Sequence, residues 1–515
     1  MAWHLAYEEC IQEYNGTNRR LTDIHGTRHP RNIGLNMKTT RREFLLTTTA
    51  LQLTAQLAAA APNTEAPFNT MGERVGEVTD HSALIHTRLT KFAARKADGF
   101  AFAPMKEGLQ AQRMPADKRV EDLEGACPGA AGRVRLLYAR NAELRRAKAA
   151  EWVQVTAETD FTHQFSLIDL RPRTKYFYAI ETTATARGKT RRGVIGSFTT
   201  APNPTEWQAI TFCVATCQQY QRRDDPGGFQ NYRSIQNLAP DFMVMAGDNV
   251  YYDNESPVAN TTELASYHWQ RMHSLPNIVA AFHRLPCYWT KDDHDILSDD
   301  CWPGMEPDKM KPMTFAEGQK IFRQQIPISD PPYRKFHWGS GVEVWLTESR
   351  DSRSPNNMPD SPTKSLWGET QKRWLKDTLL KSDAPFKILI SPNPIVGPDR
   401  PTKGDNHANA AFATEGREFR QWVQANKLKN FFVICGDRHW QYHSVDPETG
   451  LHEFSVGPMS DAHAAGTPGE NKTYHRFHRV KGGFLSVTLT GTAAAPRIVF
   501  RHHDVTGKVV YETYP

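Results

Sequence analysis

Five apolar runs between residues 212 and 435 each stop at residues able to hold a cation or an anionic oxygen. Phe212-Cys-Val-Ala-Thr216 ends at Cys217, and Asp241-Phe-Met-Val-Met-Ala246 passes through Gly247 to Asp248 and Tyr251. Pro286-Cys-Tyr-Trp-Thr290 runs into Asp292, Asp293, His294 and Asp295. Val342 to Thr347 leads to Glu348, Arg350 and Arg353, and Phe431 to Cys435 leads to Asp437 and His439. Any one of these ends, taken alone, is an ordinary cap or turn. Together they bring a thiol, a phenol, imidazoles and several carboxylates, which is the donor set of a hard-cation site with one softer corner, and so of more than one kind of metal. Arg350 and Arg353, three apart, add guanidinium forks suited to phosphate oxygens.

Such donors meet only if the runs lie side by side. Short apolar runs bounded by turn signals read as strands buried on both faces, and in sheets of that kind chemistry collects at the carboxyl ends. Between the runs the spacing predicts helices over 229–238, 262–272, 315–325, 368–380 and 414–425, with Trp374, Leu375, Thr378 and Leu379 forming an amphipathic stripe. Strand and helix alternate, which predicts an α/β layered fold over 205–515.

The preceding stretch, 68–202, reads as a small β-sandwich. Ser82–Arg88, Arg133–Tyr138 and Thr162–Leu167 have strand patterns, and Tyr176 follows a proline turn in the manner of a tyrosine corner. Residues 92–132 interrupt it as a long surface insertion, and Ala201-Pro-Asn-Pro-Thr205 is the linker.

The order Cys-Gln, Gly-Asp-x-x-Tyr, Asp-Asp-His-Asp, acid-x-Arg-x-x-Arg and Gly-Asp-x-His resembles the alkaline phosphatase D (PhoD-like) family of metallophosphatases. Tyr333–Trp338 and Trp367–Leu375 fit the linking pattern, and the similarity spans about residues 205–460, weakening back to about residue 72. The resemblance implies a calcineurin-like metallophosphatase sandwich, two mixed sheets flanked by helices, preceded by a fibronectin-like β-sandwich. It also implies one Fe(3+) and two Ca(2+). Two departures stand out: Glu348 replaces an aspartate, and Ile390-Ser-Pro-Asn-Pro-Ile395 replaces a glutamine-containing strand exit, followed by a 399–409 loop expected to shape specificity.

Phosphate ester hydrolysis needs a strong nucleophile at neutral pH and neutralisation of anionic oxygens, and metals sharing a carboxylate supply both. We read Asp248 as the bridge, Cys217 and Tyr251 as flanking an iron-like ion, and Asp293 as a ligand to a calcium-like ion. Asp437 and His439, two apart, complete the metal set. Asp292 or Asp295 adds to the second metal or orients His294. The catalytic set is His294, as general acid or phosphate contact, with Arg350 and Arg353 on phosphate; one arginine could instead pair with Glu348.

Composition is that of a globular protein, 39% hydrophobic and 23% charged. Residues 1–61 hold seven Lys/Arg and five Asp/Glu, so only +4 of the formal +6 belongs to the rest, too little to argue for nucleic acid. Met37-Lys-Thr-Thr-Arg-Arg-Glu-Phe, with Arg41 and Arg42, an apolar stretch to Ala61 and a small-residue end, has the pattern of a twin-arginine signal over 37–61. That makes the twin-arginine export machinery a partner, the destination periplasmic or secreted, and residues 1–36 an over-extended gene start. No later segment offers an uninterrupted apolar span of membrane length. Of seven cysteines, Cys213, Cys287 and Cys435 read as buried strand thiols, Cys127 and Cys301 as loop residues open to pairing, and Cys217 as a ligand.

The expected function is an exported hydrolase of phosphate monoesters and diesters, using a metal-bound hydroxide, on a small-molecule, lipid or polymer ester. A phosphodiesterase of phospholipase D type and a catalytically silent, polysaccharide-binding surface protein are the alternatives.

Overall fold

Two sheets lie face to face because their strands are apolar on both sides. In the computed structural model, which describes residues 65–103 and 110–515, the strand Ile210–Ala215 turns Phe212 and Val214 to one side and Cys213 and Ala215 to the other, all buried. Phe242–Ala246 divides likewise, Phe242 and Val244 against Met243 and Met245. Residues two apart share a face, so each strand feeds two cores at once. The signal and start-site expectations for 1–61 lie outside the described residues.

The first sheet has nine strands and the second seven. Ile210–Ala215, Phe242–Ala246 and Cys287–Thr290 run parallel in the first, with Phe484–Thr492 antiparallel beside Ile210–Ala215. Val342–Leu346, Phe386–Ser391, Phe431–Cys435 and His452–Val456 run parallel in the second. The middle core joins Phe212, Val244, Ile388, Ile434, Phe454 and Val487 of both sheets. Helices Gln230–Leu238, Thr262–His273, Pro276–Phe282 and Phe315–Gln325 share the outer core of the first sheet; Gly368–Lys381 and Ala413–Ala425 share that of the second. The result is an α/β/β/α sandwich with a β-domain in front, as the sequence predicts. All but the short Pro276–Phe282 helix fall within a residue or two of the ranges read from spacing; that helix begins with proline at its first turn and has too few turns to show a period.

The β-domain is built on its own core of Val75, Ile85, Val134, Phe165, Tyr178 and Phe198. Tyr176 is a tyrosine corner, its hydroxyl accepting from the Arg171 N–H at 2.9 Å. One of its two sheets continues the first sheet: Arg74–Gly76 pairs parallel with Cys287–Thr290 at Gly76 and Cys287, then carries Ala83–Arg88 and Thr162–Leu167. Tyr178 donates to the His283 carbonyl at 2.9 Å and Arg74 to the Gln325 carbonyl at 2.6 Å, so polar groups as well as the ladder cross this junction.

The insertion differs from the surface loop expected of it. Its Leu123, Ala126 and Cys127 are buried; Glu124 accepts from Tyr220 at 2.8 Å, and its carbonyl accepts from Tyr267 at 2.7 Å. Its apolar residues were too few to show a period, yet they cover the Thr262–His273 helix. The six described cysteines are all free and buried.

His502, in the first sheet, is hydrogen-bonded through Nε2 to the Ser455 carbonyl of the second at 2.9 Å, while its buried Nδ1 has no partner. Burial pushes both His502 and His443 down to about 3. A histidine lowered in the fold contributes stability above its unfolded value near 6.5 that is lost as pH falls, at about 1.4 kcal/mol per pH unit for each such group. Thermal unfolding midpoints should therefore drop from pH 7 to pH 4.5, and His502→Gln should make that decline shallower; an unchanged decline would remove His502 as a cause.

Candidate metal centre

The carboxyl ends of the parallel strands in both sheets meet at one edge, and the backbone turns sharply there. Cys217, Asp248 and Asp437 all adopt left-handed φ values, 56°, 54° and 60°. Non-glycine residues in that region cost on the order of 1 to 3 kcal/mol each, which the surrounding packing must offset. Glycine is required at both strand tips: a Cβ on Gly436 would sit 2.2 Å from the Ala246 carbonyl oxygen of the other sheet, and one on Gly247 would sit 2.8 Å from the Asp292 Cβ of the neighbouring strand in its own sheet. The Gly-Asp pairs are thus one device, a glycine that lets the edges close and an aspartate turned into the seam.

Two donor clusters result. Cys217, Asp248 and His439 place ligand atoms within 4.8 Å of one another, as do Asp248, Asp293 and His294. Asp248 belongs to both. Its Oδ2 accepts from Tyr251 at 2.9 Å and lies 3.4 Å from the Cys217 sulfur, while its Oδ1 and the Oδ1 of Asp293 are buried without hydrogen-bond partners. Burial, reinforced by neighbouring acids, pushes Asp248 well above the usual carboxylate range; burial and Asp248 likewise raise the Cys217 thiol and the Tyr251 phenol. Burial pushes His439 well below 6.5, which leaves a neutral imidazole. Orphaned carboxylate oxygens beside a thiol, a phenol and a neutral imidazole fit metal ions, whose charge would draw these protons off.

His294 is held by a residue the sequence reading missed. Its Nδ1 is 2.5 Å from Asp253 Oδ1, and Asp253 Oδ2 accepts from Lys309 at 2.8 Å and from the Asp299 N–H at 3.1 Å. Burial alone would lower His294, but Asp253, Asp293 and Asp248 outweigh it and hold the ring well above 6.5. Asp292 and Asp295, the expected partners, are engaged elsewhere. Asp295 turns back under the Asp248 loop, accepting from the N–H groups of Asn249 at 2.7 Å and Val250 at 3.0 Å. Asp292 accepts from Arg350 Nε at 2.5 Å and Asn393 Nδ2 at 3.0 Å.

Both arginines are buried, and each keeps unpartnered nitrogens, Nη2 in Arg350 and Nε and Nη1 in Arg353. Arg350 is fully buried, bonded to Asp292 and to the Cys301 carbonyl, with Nη2 3.7 Å from Asp293. Arg353 donates to Asn356 and to the Asp405 carbonyl, each at 2.7 Å, and burial pushes it down to about 10. Glu348 pairs with neither guanidinium. It accepts from the Arg350 and Asp351 N–H groups at 2.5 and 3.0 Å and faces Lys291 at 3.1 Å, so it fixes the turn. Asp437 joins neither cluster; it contacts Arg438 and accepts from Asn393 at 3.3 Å.

Besides Asp253, the edge gathers Asn393, whose Oδ1 is a buried orphan, and His463, whose ring lies 4.0 Å from that of His439 and whose Nδ1 is 3.1 Å from the Cys217 carbonyl. Both follow parallel strands of the second sheet; Asn393 stands after the apolar run of Phe386–Ser391, whereas the polar strand His452–Val456 gave no such signal for His463. The 399–409 loop enters through Lys403, 3.2 Å from Asp299 and 2.5 Å from Asp300.

Comparison with known proteins agrees with this architecture. The family described as PhoD-like phosphatase matches residues 212–503, and the PhoD-like phosphatase N-terminal domain matches 54–202. Alkaline phosphatase D of Bacillus subtilis (strain 168) is 22% identical over 431 residues, covering 74% of this chain and 66%, just under two thirds, of that protein. The solved structure of PhoD superposes with a TM-score of 0.66 at 18% identity, covering 88% of this chain and 94% of that one. A purple acid phosphatase, PPD1 from yellow lupin (Lupinus luteus), gives 0.58 at 12% identity, covering 85% and 73%. At such identities the structural likenesses carry the fold.

The shared position of Asp248 sets a pattern for metal content. Asp248→Ala should lose metal from both clusters, Cys217→Ala only from the first and Asp293→Ala only from the second, as read by elemental analysis of purified protein. Equal losses in all three would contradict a shared carboxylate.

Proposed function

The chain belongs to the PhoD-like phosphatase family, a family of metal-dependent phosphatases, and from that premise we propose that it is an exported hydrolase of phosphate monoesters and diesters. The observation that carries the reading is the buried carboxylate of Asp248 shared between two clusters of different softness. Cys217, Tyr251 and His439 would hold a transition metal, iron(III) by the preference of thiolate and phenolate donors for a highly charged ion. Asp293, with the neutral oxygen of Asn393 facing the same edge, suits calcium. Bound there, the ions would supply a nucleophile at neutral pH and countercharge for the phosphoryl oxygens.

The protein's own part is to bind, orient and hold protons. Asp253 at Nδ1 orients the His294 ring and favours its protonated form, in which Nε2 would donate to a phosphate or leaving-group oxygen and not serve as a metal ligand. Arg350 and Arg353 act from behind: their guanidiniums fix Asp292, the Asn356 side chain and the 399–409 loop, and spread positive potential under the edge. Export rests on Arg41, Arg42 and the apolar stretch to Ala61; twin-arginine transport of a folded chain would allow metals to be loaded beforehand.

The direct test is hydrolysis of a chromogenic phosphate monoester and of its diester analogue, before and after chelation and with metals restored. Activity that chelation abolishes and calcium with iron recovers is the expected result. Turnover of neither ester by protein with its full metal content would count against the proposal. Within an active enzyme, Asp253→Asn should cut kcat by about 10² while leaving metal content intact, since general acid-base groups contribute on the order of 10² to 10⁴. An unchanged kcat would release His294 from dependence on Asp253.

A further inference from the structure

The β-domain carries a basin that this chemistry does not use. The end of strand Gly132–Ala139, the loop that follows it, the turn Asp169–Arg171 and Tyr176 enclose a cavity of about 490 Å³. Arg140, Arg145, Arg146, Lys148 and Arg171 stand around it, against a single lining acid, Asp169. In the sequence these cations sit in two separate segments, and only the fold assembles them.

Their charges are largely unanswered. Arg145 lies 3.3 Å from Glu143 with both side chains mostly exposed, a contact of little strength. Among the described residues, Arg140, Arg146 and Arg171 enter no ion pair, and Lys148 rests 5.9 Å above the Tyr138 ring. The floor is fixed: Tyr176 is held by the Arg171 N–H, and the Tyr138 and Tyr176 rings are 6.5 Å apart. Leu144, Arg146 and Asp169 keep left-handed φ values of 52°, 54° and 56°, so the rim is shaped at a cost that strand geometry does not require.

A lone phosphate would fill little of a cavity of about 490 Å³ lined by five cations. A membrane surface would call for a flat face with several apolar side chains; here the face is concave, and Ile168 is the one exposed large apolar residue adjoining it in sequence. Spread cations over an aromatic floor suit a chain bearing several phosphates, bound by release of its counterions. We propose that the basin binds a linear polymer of phosphate groups. The basin's strands, Gly132–Ala139 and Lys175–Thr183, belong to the β-domain's other sheet, so the basin is a site separate from the catalytic edge. This binding does not rest on the phosphoester reading.

The test is fluorescence anisotropy of the full chain with labelled inorganic polyphosphate across a salt series, for the native sequence and for the double variant Arg140→Gln, Arg146→Gln. The variant should bind at least about ten-fold more weakly at low salt, and its plot of log affinity against log salt should be shallower by about 1.5, since each phosphate contact contributes about 0.7 to 0.9. Small-monoester hydrolysis and the thermal midpoint should stay unchanged, which separates lost binding from lost fold. Equal affinity of the two proteins would overturn the proposal, as would binding to anionic phospholipid vesicles without binding to polyphosphate. Polymer binding that depends on these arginines in a protein unable to hydrolyse small esters would uphold the basin and remove the phosphatase reading alone.

Discussion

Crowded negative charge at a water-poor edge is the constraint around which this molecule is organised. Asp248, Asp292, Asp293 and Asp295 come together within one seam, all buried, with a thiol and a phenol among them. Removing several carboxylates from water costs far more than a fold can spare unless each meets a donor or a cation. The surrounding residues divide that work. Arg350 and Asn393 answer Asp292, the backbone of the 249–250 turn answers Asp295, and His294 with Arg350 draws Asp293 well below the usual carboxylate range despite its burial. Of these four carboxylates, one oxygen of Asp248 and one of Asp293 are left without a donor.

The same logic accounts for the arginines. A guanidinium that contacts substrate needs an open face, whereas Arg350 is enclosed and Arg353 is nearly so. Their placement makes the edge affordable electrostatically, since Asp292 without Arg350 would be an unpaired buried charge. Arg438, with Asp399 at 2.6 Å, anchors the 399–409 loop from the second sheet in a similar way.

Much of this was legible in the sequence, for a physical reason. Strands buried on both faces are continuous apolar runs, and a run that ends in Gly-Asp or Thr-Cys announces both the strand and its tip; Cys217, Asp248, Asp293 and His439 were readable in that way. What failed was the division of labour among neighbouring acids. Asp292, Asp293 and Asp295 look alike in sequence, and only the turn of the short helix Asp293–Asp295 decides that one faces Arg350, one the seam and one the backbone. Asp253, which holds His294, is 41 residues away in the chain, and no spacing rule links them. The docking of the insertion was hidden for the same reason, because its contacts, Glu124 with Tyr220 and Tyr267, belong to the tertiary fold.

The two clusters are not equivalent in what they ask of the structure. Asp248, Asp293 and His294 all follow strands of the first sheet, so that cluster is assembled once Phe242–Ala246 and Cys287–Thr290 pair. Cys217 and Asp248 come from the first sheet and His439 from the second, so the other cluster exists only when the two sheets are packed face to face. A metal held there would link the two sheets at the edge where Gly436 brings them into contact. Its binding free energy is therefore coupled to sheet packing, while the oxygen-rich cluster is coupled to one sheet alone. The placement of the donors follows from topology: an ion held by Cys217 and His439 would cross-link the two sheets, whereas one held by Asp248 and Asp293 would draw on one sheet alone.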